Sequence, residues 1–74
     1  MKIKTNETFT VPSESFGISA PPAGSVFSYS VCGENWSAVD EEIDGTEDIF
    51  VIGVPKFCAY KITSDEDVDL YVQY

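Results

Sequence analysis

Seventy-four residues make one small domain, 1–74, and a chain of this size buries only about 60% of the surface it exposes when unfolded. Thirteen acids against four lysines leave a net charge of −9, which repels phosphate backbones and anionic lipid and makes nucleic acid and membrane surfaces poor partners. No stretch approaches the roughly 20 apolar residues that span a bilayer, while abundant aromatic and β-branched residues argue against disorder.

Lys2-Ile3-Lys4 begins a first strand, closed by a turn at Asn6. Thr8-Phe9-Thr10-Val11 alternates polar and apolar until Pro12 stops it, which predicts an edge strand. Phe16-Gly17-Ile18 is a brief apolar strand, and the proline-rich stretch from Ser19 to Ser25 is a loop. Val26 to Val39 reads as a β-hairpin around Cys32-Gly33-Glu34-Asn35. With that tetrad as the loop, Val31 lies opposite Trp36 and Tyr29 opposite Ala38. Those four share an apolar face with Phe27, and Ser28, Ser30 and Ser37 share the polar one. The single tryptophan is therefore expected at the centre of the core.

Asp40 to Asp48 is an acidic connection turning at Asp44-Gly45, with room for one helical turn at Asp40 to Ile43. Ile49 to Val54 is a near-continuous apolar strand, interrupted by Pro55-Lys56 and resumed from Phe57 to Ile62. After a polar turn at Ser64 to Asp67, Val68, Leu70, Val72 and Tyr74 alternate with polar positions in a last strand that has one wet face. About seven short strands at roughly 8–12-residue spacing predict an all-β, small antiparallel β-sandwich, immunoglobulin-like or jelly-roll-like. Nowhere does the chain carry an amphipathic pattern three helical turns long.

The chemistry-bearing residue types argue against an enzyme. General acid–base catalysis most often recruits histidine, and this chain has none. The acids fall in turns and on solvent faces, not among apolar residues that would raise a carboxyl pKa. Two cysteines without histidine do not make a four-ligand zinc site. Met1 to Asn6 has no apolar run of the secretory type, so Cys32 and Cys58 are expected as free thiols and the chain in a reducing compartment. Asp65, Asp67 and Asp69 alternate, but Leu70 stands where a calcium loop of the EF-hand type needs glycine, so no metal or other cofactor is expected.

The run from Ile49 to Ile62 is apolar on both faces. One face carries Phe50, Ile52, Val54, Phe57 and Ala59, the other Ile49, Val51, Cys58, Tyr60 and Ile62. A two-layer sandwich covers only one face of a strand, so Phe50, Ile52, Val54 and Phe57 of the first set are the expected interface with a protein partner or a second copy, in a dimer or trimer. If the two strands of the run lie in different sheets, that argument weakens.

Two resemblances bear on function. Tyr29-Ser30-Val31-Cys32-Gly33-Glu34-Asn35-Trp36 resembles the Ser-x-Asp-Gly-x-x-Trp hairpin of discoidin-type carbohydrate- and lipid-binding sandwiches, with Cys32 in place of the aspartate. Sialidase-type Asp boxes share the Gly-x-x-Trp ending. The likeness covers one hairpin and transfers no ligand residue. The layout Gly53-Val54-Pro55-Lys56, then Tyr60-Lys61-Ile62, then Val68-x-Leu70-x-Val72-x-Tyr74 is similar to small β-sandwich accessory proteins of tailed phages, which decorate capsids or fibres without catalysis. That resemblance implies a structural attachment module of a virion; without it, a cytoplasmic location is expected. The alternative is a glycan-binding module, calcium-assisted, using exposed aromatics such as Tyr71.

Overall fold

The computed structural model describes residues 1–31, 33–39, 41–53 and 58–74. Its strands are β1 (Lys2–Lys4), β2 (Phe9–Thr10), β3 (Phe16–Ile18), β4 (Val26–Ser30), β5 (Ser37–Ala38), β6 (Ile49–Val51), β7 (Ala59–Thr63) and β8 (Asp69–Gln73). The pairing follows one rule: β1 with β8, β2 with β7, β3 with β6 and β4 with β5, all antiparallel. This is a single long hairpin with its tip between β4 and β5. Folding that hairpin over adds the pairs β3 with β8 and β4 with β7. Two four-stranded sheets result, ordered β1-β8-β3-β6 and β2-β7-β4-β5. Eight strands wound this way form a jelly roll, not the seven-stranded immunoglobulin arrangement.

Alternation decides what each strand buries. In β8 Leu70 and Val72 face inward and Asp69, Tyr71 and Gln73 outward. Ile3 of β1 and Phe16 and Ile18 of β3 complete the first sheet's inner face. From the second sheet come Phe27, Tyr60 and Ile62. Tyr60 is the hinge of the packing. Its ring stacks on Phe27 at 5.9 Å, meets Phe9 at 5.7 Å and crosses to the opposite sheet to touch Phe16 edge-on at 4.8 Å. Aromatic pairs of this geometry contribute about 0.5–1.5 kcal/mol each beyond the area they bury.

The described residues form eight strands, where the sequence spacing suggested about seven. The hairpin register is shifted by one residue, with Ser28 opposite Ala38 and Tyr29 opposite Ser37. A one-residue shift moves every side chain of the partner strand to the other face. Trp36 accordingly leaves the core and lies half-buried on the outer face, where the Lys61 ammonium sits 4.5 Å from its ring centroid. Of the expected apolar face only Phe27 is buried; Tyr29 and Val31 are exposed. Ser30, expected on a wet face, is buried and accepts a hydrogen bond from the Gly33 amide. The strands on either side of Pro55-Lys56, β6 and β7, lie in different sheets, the case that weakens the two-faced argument. The helical turn expected from Asp40 begins outside the described residues, and Glu41 to Ile43 are not helical.

The N-terminal strand is stitched to the far end of the chain. Buried Thr5 receives the Val68 amide on its hydroxyl and donates that hydroxyl to the Glu66 carbonyl. Asn6 adopts a positive φ of 66° and brackets Ser64, its amide donating to the Ser64 carbonyl and its carbonyl accepting from the Ser64 N–H. The acids at 65–67 therefore sit in a turn fixed by Thr5 and Asn6.

Tyr60 Oη is buried without a hydrogen-bond partner. Burial, then the neighbouring Cys58 side chain, pushes the phenol from its ordinary 10.0 up to about 12. The folded chain thus holds this proton more tightly than the unfolded chain. The associated stability is complete below pH 10 and is lost as the pH rises through about 12. Tyr60→Phe is expected to match or exceed the wild type by up to about 1 kcal/mol at pH 7, since it strands no partner. It should also flatten the loss of stability between pH 10 and 12. Tyr60→Ala should cost about 3–5 kcal/mol. Urea unfolding of the three proteins at pH 7 and pH 11 checks both.

Candidate functional site

The outer face of the first sheet runs from charged to apolar. At the β1 edge, Lys2 pairs with Asp69 at 3.2 Å, an exposed pair of at most about 1 kcal/mol. Tyr71 and Gln73 follow on β8, Gly17 on β3 and Phe50 on β6, with Gln73, Gly17 and Phe50 in one cross-strand row. At Gly17, a Cβ would stand 3.2 Å from Phe50 Cε1, so the Phe50 ring leans over bare glycine backbone. Phe50 is nevertheless 75% exposed and Ile52 82%, with Tyr71 at 64% and Tyr74 at 62%. Phe50, Ile52 and Tyr74 border one shallow depression beside Gly17 and Gln73. Phe50 and Tyr71 border a second.

Of the expected interface residues, Phe50 and Ile52 are solvent-facing and adjacent, while Val54 and Phe57 lie outside the described residues. Ile49 and Val51, on the other face of β6, pack against the core. Tyr71 and Tyr74 are the part of this surface the interface reading missed. The signal for Tyr71 was the outward phase of the last strand; Tyr74 gave none, because alternation placed it with Leu70 and Val72, yet it is exposed.

Among the described residues the β6 edge is also open. Just after β3 the Ser19 amide donates to the Tyr71 carbonyl of β8, and the Ala20 amide turns the other way, to Asp48 Oδ1. Backbone groups alternate direction along a strand, so Ile18 serves β6 and pairs with Ile49. The Phe50 N–H and C=O then point away from β3, toward solvent. The other edges are blunted: β1 carries Lys2 and Lys4, β2 is two residues long and followed by Pro12, and β5 is two residues long. Short edges, charges and proline discourage strand addition, and β6 has only its shortness.

A second feature lies under the β5–β6 connection, a recess of about 150 Å³. Phe27, Val39, Ile43 and Ile49 supply apolar lining, and Glu41, Glu42, Asp44, Glu47 and Asp48 supply carboxylates. The connection is fastened at three points: the Val39 amide to the Phe27 carbonyl, the Gly24 amide to the Ile43 carbonyl, and the Ala20 amide to Asp48. Gly45 is required there. Its φ is +86°, and a Cβ would meet the Ala23 nitrogen at 2.9 Å. Asp44 Oδ1 accepts the Thr46 N–H and hydroxyl, both at 2.8 Å, and these bonds hold its carboxyl below the usual aspartate value. The sequence showed these acids as a solvated turn, because Val39 and Ile43 are too far apart to reveal a common apolar floor.

Among the described residues no three Asp, Glu or Cys side chains converge to hold a metal ion. Asp67 is engaged by Asn6 and Asp69 by Lys2. The Cys58 thiol is free, buried, and donates to the Ser30 carbonyl at 3.1 Å, while Cys32 lies outside the described residues. No helix among the described residues is long and apolar enough to cross a membrane.

Because Phe50 and Ile52 project into solvent, Phe50→Ser and Ile52→Ser should each change stability by less than about 1 kcal/mol. Ile18→Ala, in the fully buried layer, should cost about 2–5 kcal/mol. Urea midpoints of the three variants separate an exposed surface from a core.

No protein-family model, no curated protein and no solved structure matches this chain.

Proposed function

We propose that this chain is a non-catalytic attachment module that docks on a protein surface through the apolar end of its first sheet. Such a module decorates a larger assembly, as virion decoration or head-fibre-type proteins do, or closes on further copies of itself. The observation that carries the reading is the exposure of Phe50 and Ile52 beside the open edge of β6. Each large apolar side chain left in water forgoes about 1.5–3 kcal/mol that burial would give. A chain this small gains from covering such a patch with a partner. The jelly-roll topology agrees with the reading by analogy alone, since capsid and lectin domains both use it. The lack of histidine gives general acid–base catalysis no support.

A glycan-binding role is the second reading. It rests on Phe50 and Tyr71 bordering one depression with the Gln73 side chain, two exposed rings and an amide within one surface. Saturable binding on a glycan array, lost on Tyr71→Ala with the assembly state unchanged, would favour it.

For the first reading, static light scattering over a hundredfold dilution should show an assembly at high concentration, or a stable complex with a particle of the same source. Phe50→Asp and Ile52→Asp should abolish it while leaving the urea midpoint near that of wild type. A wild-type chain that is monomeric throughout, melts independently of concentration and binds no particle contradicts the proposal.

A further inference from the structure

The recess beneath the β5–β6 connection joins apolar walls to a rim of one charge. At about 150 Å³ it has the size of a cavity that accepts a benzene ring, enough for the stem of one long side chain. Carboxylates around low-dielectric walls focus a negative field into the opening. No described lysine answers it: Lys2 pairs with Asp69, Lys61 sits over Trp36, and Lys4 lies opposite Asp69 on the far edge of the first sheet. Among the described residues the acids do not converge as metal ligands would. The matching ligand is therefore a cation with an apolar stem. Lysine and arginine side chains have that form, with methylenes that lie along apolar surface and a charged head that stays with the carboxylates.

We propose that this recess is a docking socket for a lysine or arginine side chain carried by an extended, basic segment of a partner protein. The socket is preformed, because Gly45 against Ala23 and the Gly24–Ile43 hydrogen bond fix the connection. It goes beyond the apolar face described above and does not depend on it, although Phe50 borders both.

The test uses the full chain, ¹⁵N-labelled, titrated at pH 6 with hexalysine and with a hexapeptide of diaminobutyric acid. The second peptide has the same charge and two fewer methylenes per side chain. Hexalysine should shift the amides of Val39, Ile43, Gly45 and Ile49 and bind more tightly by about fourfold for each additional methylene buried. Glu42→Gln with Glu47→Gln should weaken hexalysine roughly tenfold, with the melting temperature unchanged or raised. Ile43→Ser should narrow the difference between the two peptides. Equal affinity for both peptides, or shifts confined to Asp65 to Asp69, overturns the socket. Spermine matching hexalysine in affinity at the same amides overturns the protein-segment ligand. Dissociation of any assembly by Ile52→Asp, a residue that does not line the recess, without change in hexalysine binding separates this proposal from the apolar face.

Discussion

The contact of Tyr60 with Phe16 across the two sheets is the constraint on which the rest of the fold depends. A sandwich of short strands has little hydrogen-bonded length per pair, so its layers are held by side chains. Tyr60 sits on β7 between β2 and β4, and its ring reaches Phe9 and Phe27 within its own sheet and Phe16 in the other. Ile18 and Ile62, both fully buried, extend that layer. The Tyr60 hydroxyl lacks a partner there, which identifies the ring, and not the polar tip, as the source of stability.

With the inner faces committed, the outer faces are left to solvent or to partners, and the two differ. The second sheet hides Trp36 under Lys61 and tucks Ser30 beneath the hairpin tip. The first sheet leaves its apolar end uncovered, with Phe50 supported from below only by the bare backbone of Gly17. An aromatic ring over a strand glycine is a recognised way of protecting that glycine, but it accounts for one edge of the Phe50 ring and not for Ile52. Surface chemistry is thus divided by place. An open apolar edge lies at β6, and an acidic recess lies where the β5–β6 connection crosses the loop before β4.

Much of the architecture was legible because alternation is a local signal. The phases of β1, β3 and β8 follow from the residues, and so does the outward placement of Phe50 and Tyr71. Misreading Trp36 has one cause. The turn between β4 and β5 runs longer than the tetrad Cys32 to Asn35, and the registers that place Tyr29 opposite Ala38 or opposite Ser37 both leave plausible pairs. Only long-range packing chooses between them. Tyr60 was hidden for the complementary reason: Phe57 to Tyr60 is apolar without a break, so no contrast there marks the residue that crosses the core. Whether the strands on either side of Pro55-Lys56 share a sheet was open in the sequence, and jelly-roll winding sends them to different sheets.

Nuclear Overhauser contacts from the aromatic rings test the central claim directly, that Tyr60 ties the sheets together while Phe50 stays outside. The account predicts contacts from the Tyr60 ring to Phe16, Phe27 and Phe9, from Trp36 to the Lys61 methylenes, and from Phe50 to the Gly17 α protons. Contacts from Trp36 or Phe50 to Ile18, Ile62 or Leu70, or the absence of any between Tyr60 and Phe16, would contradict it.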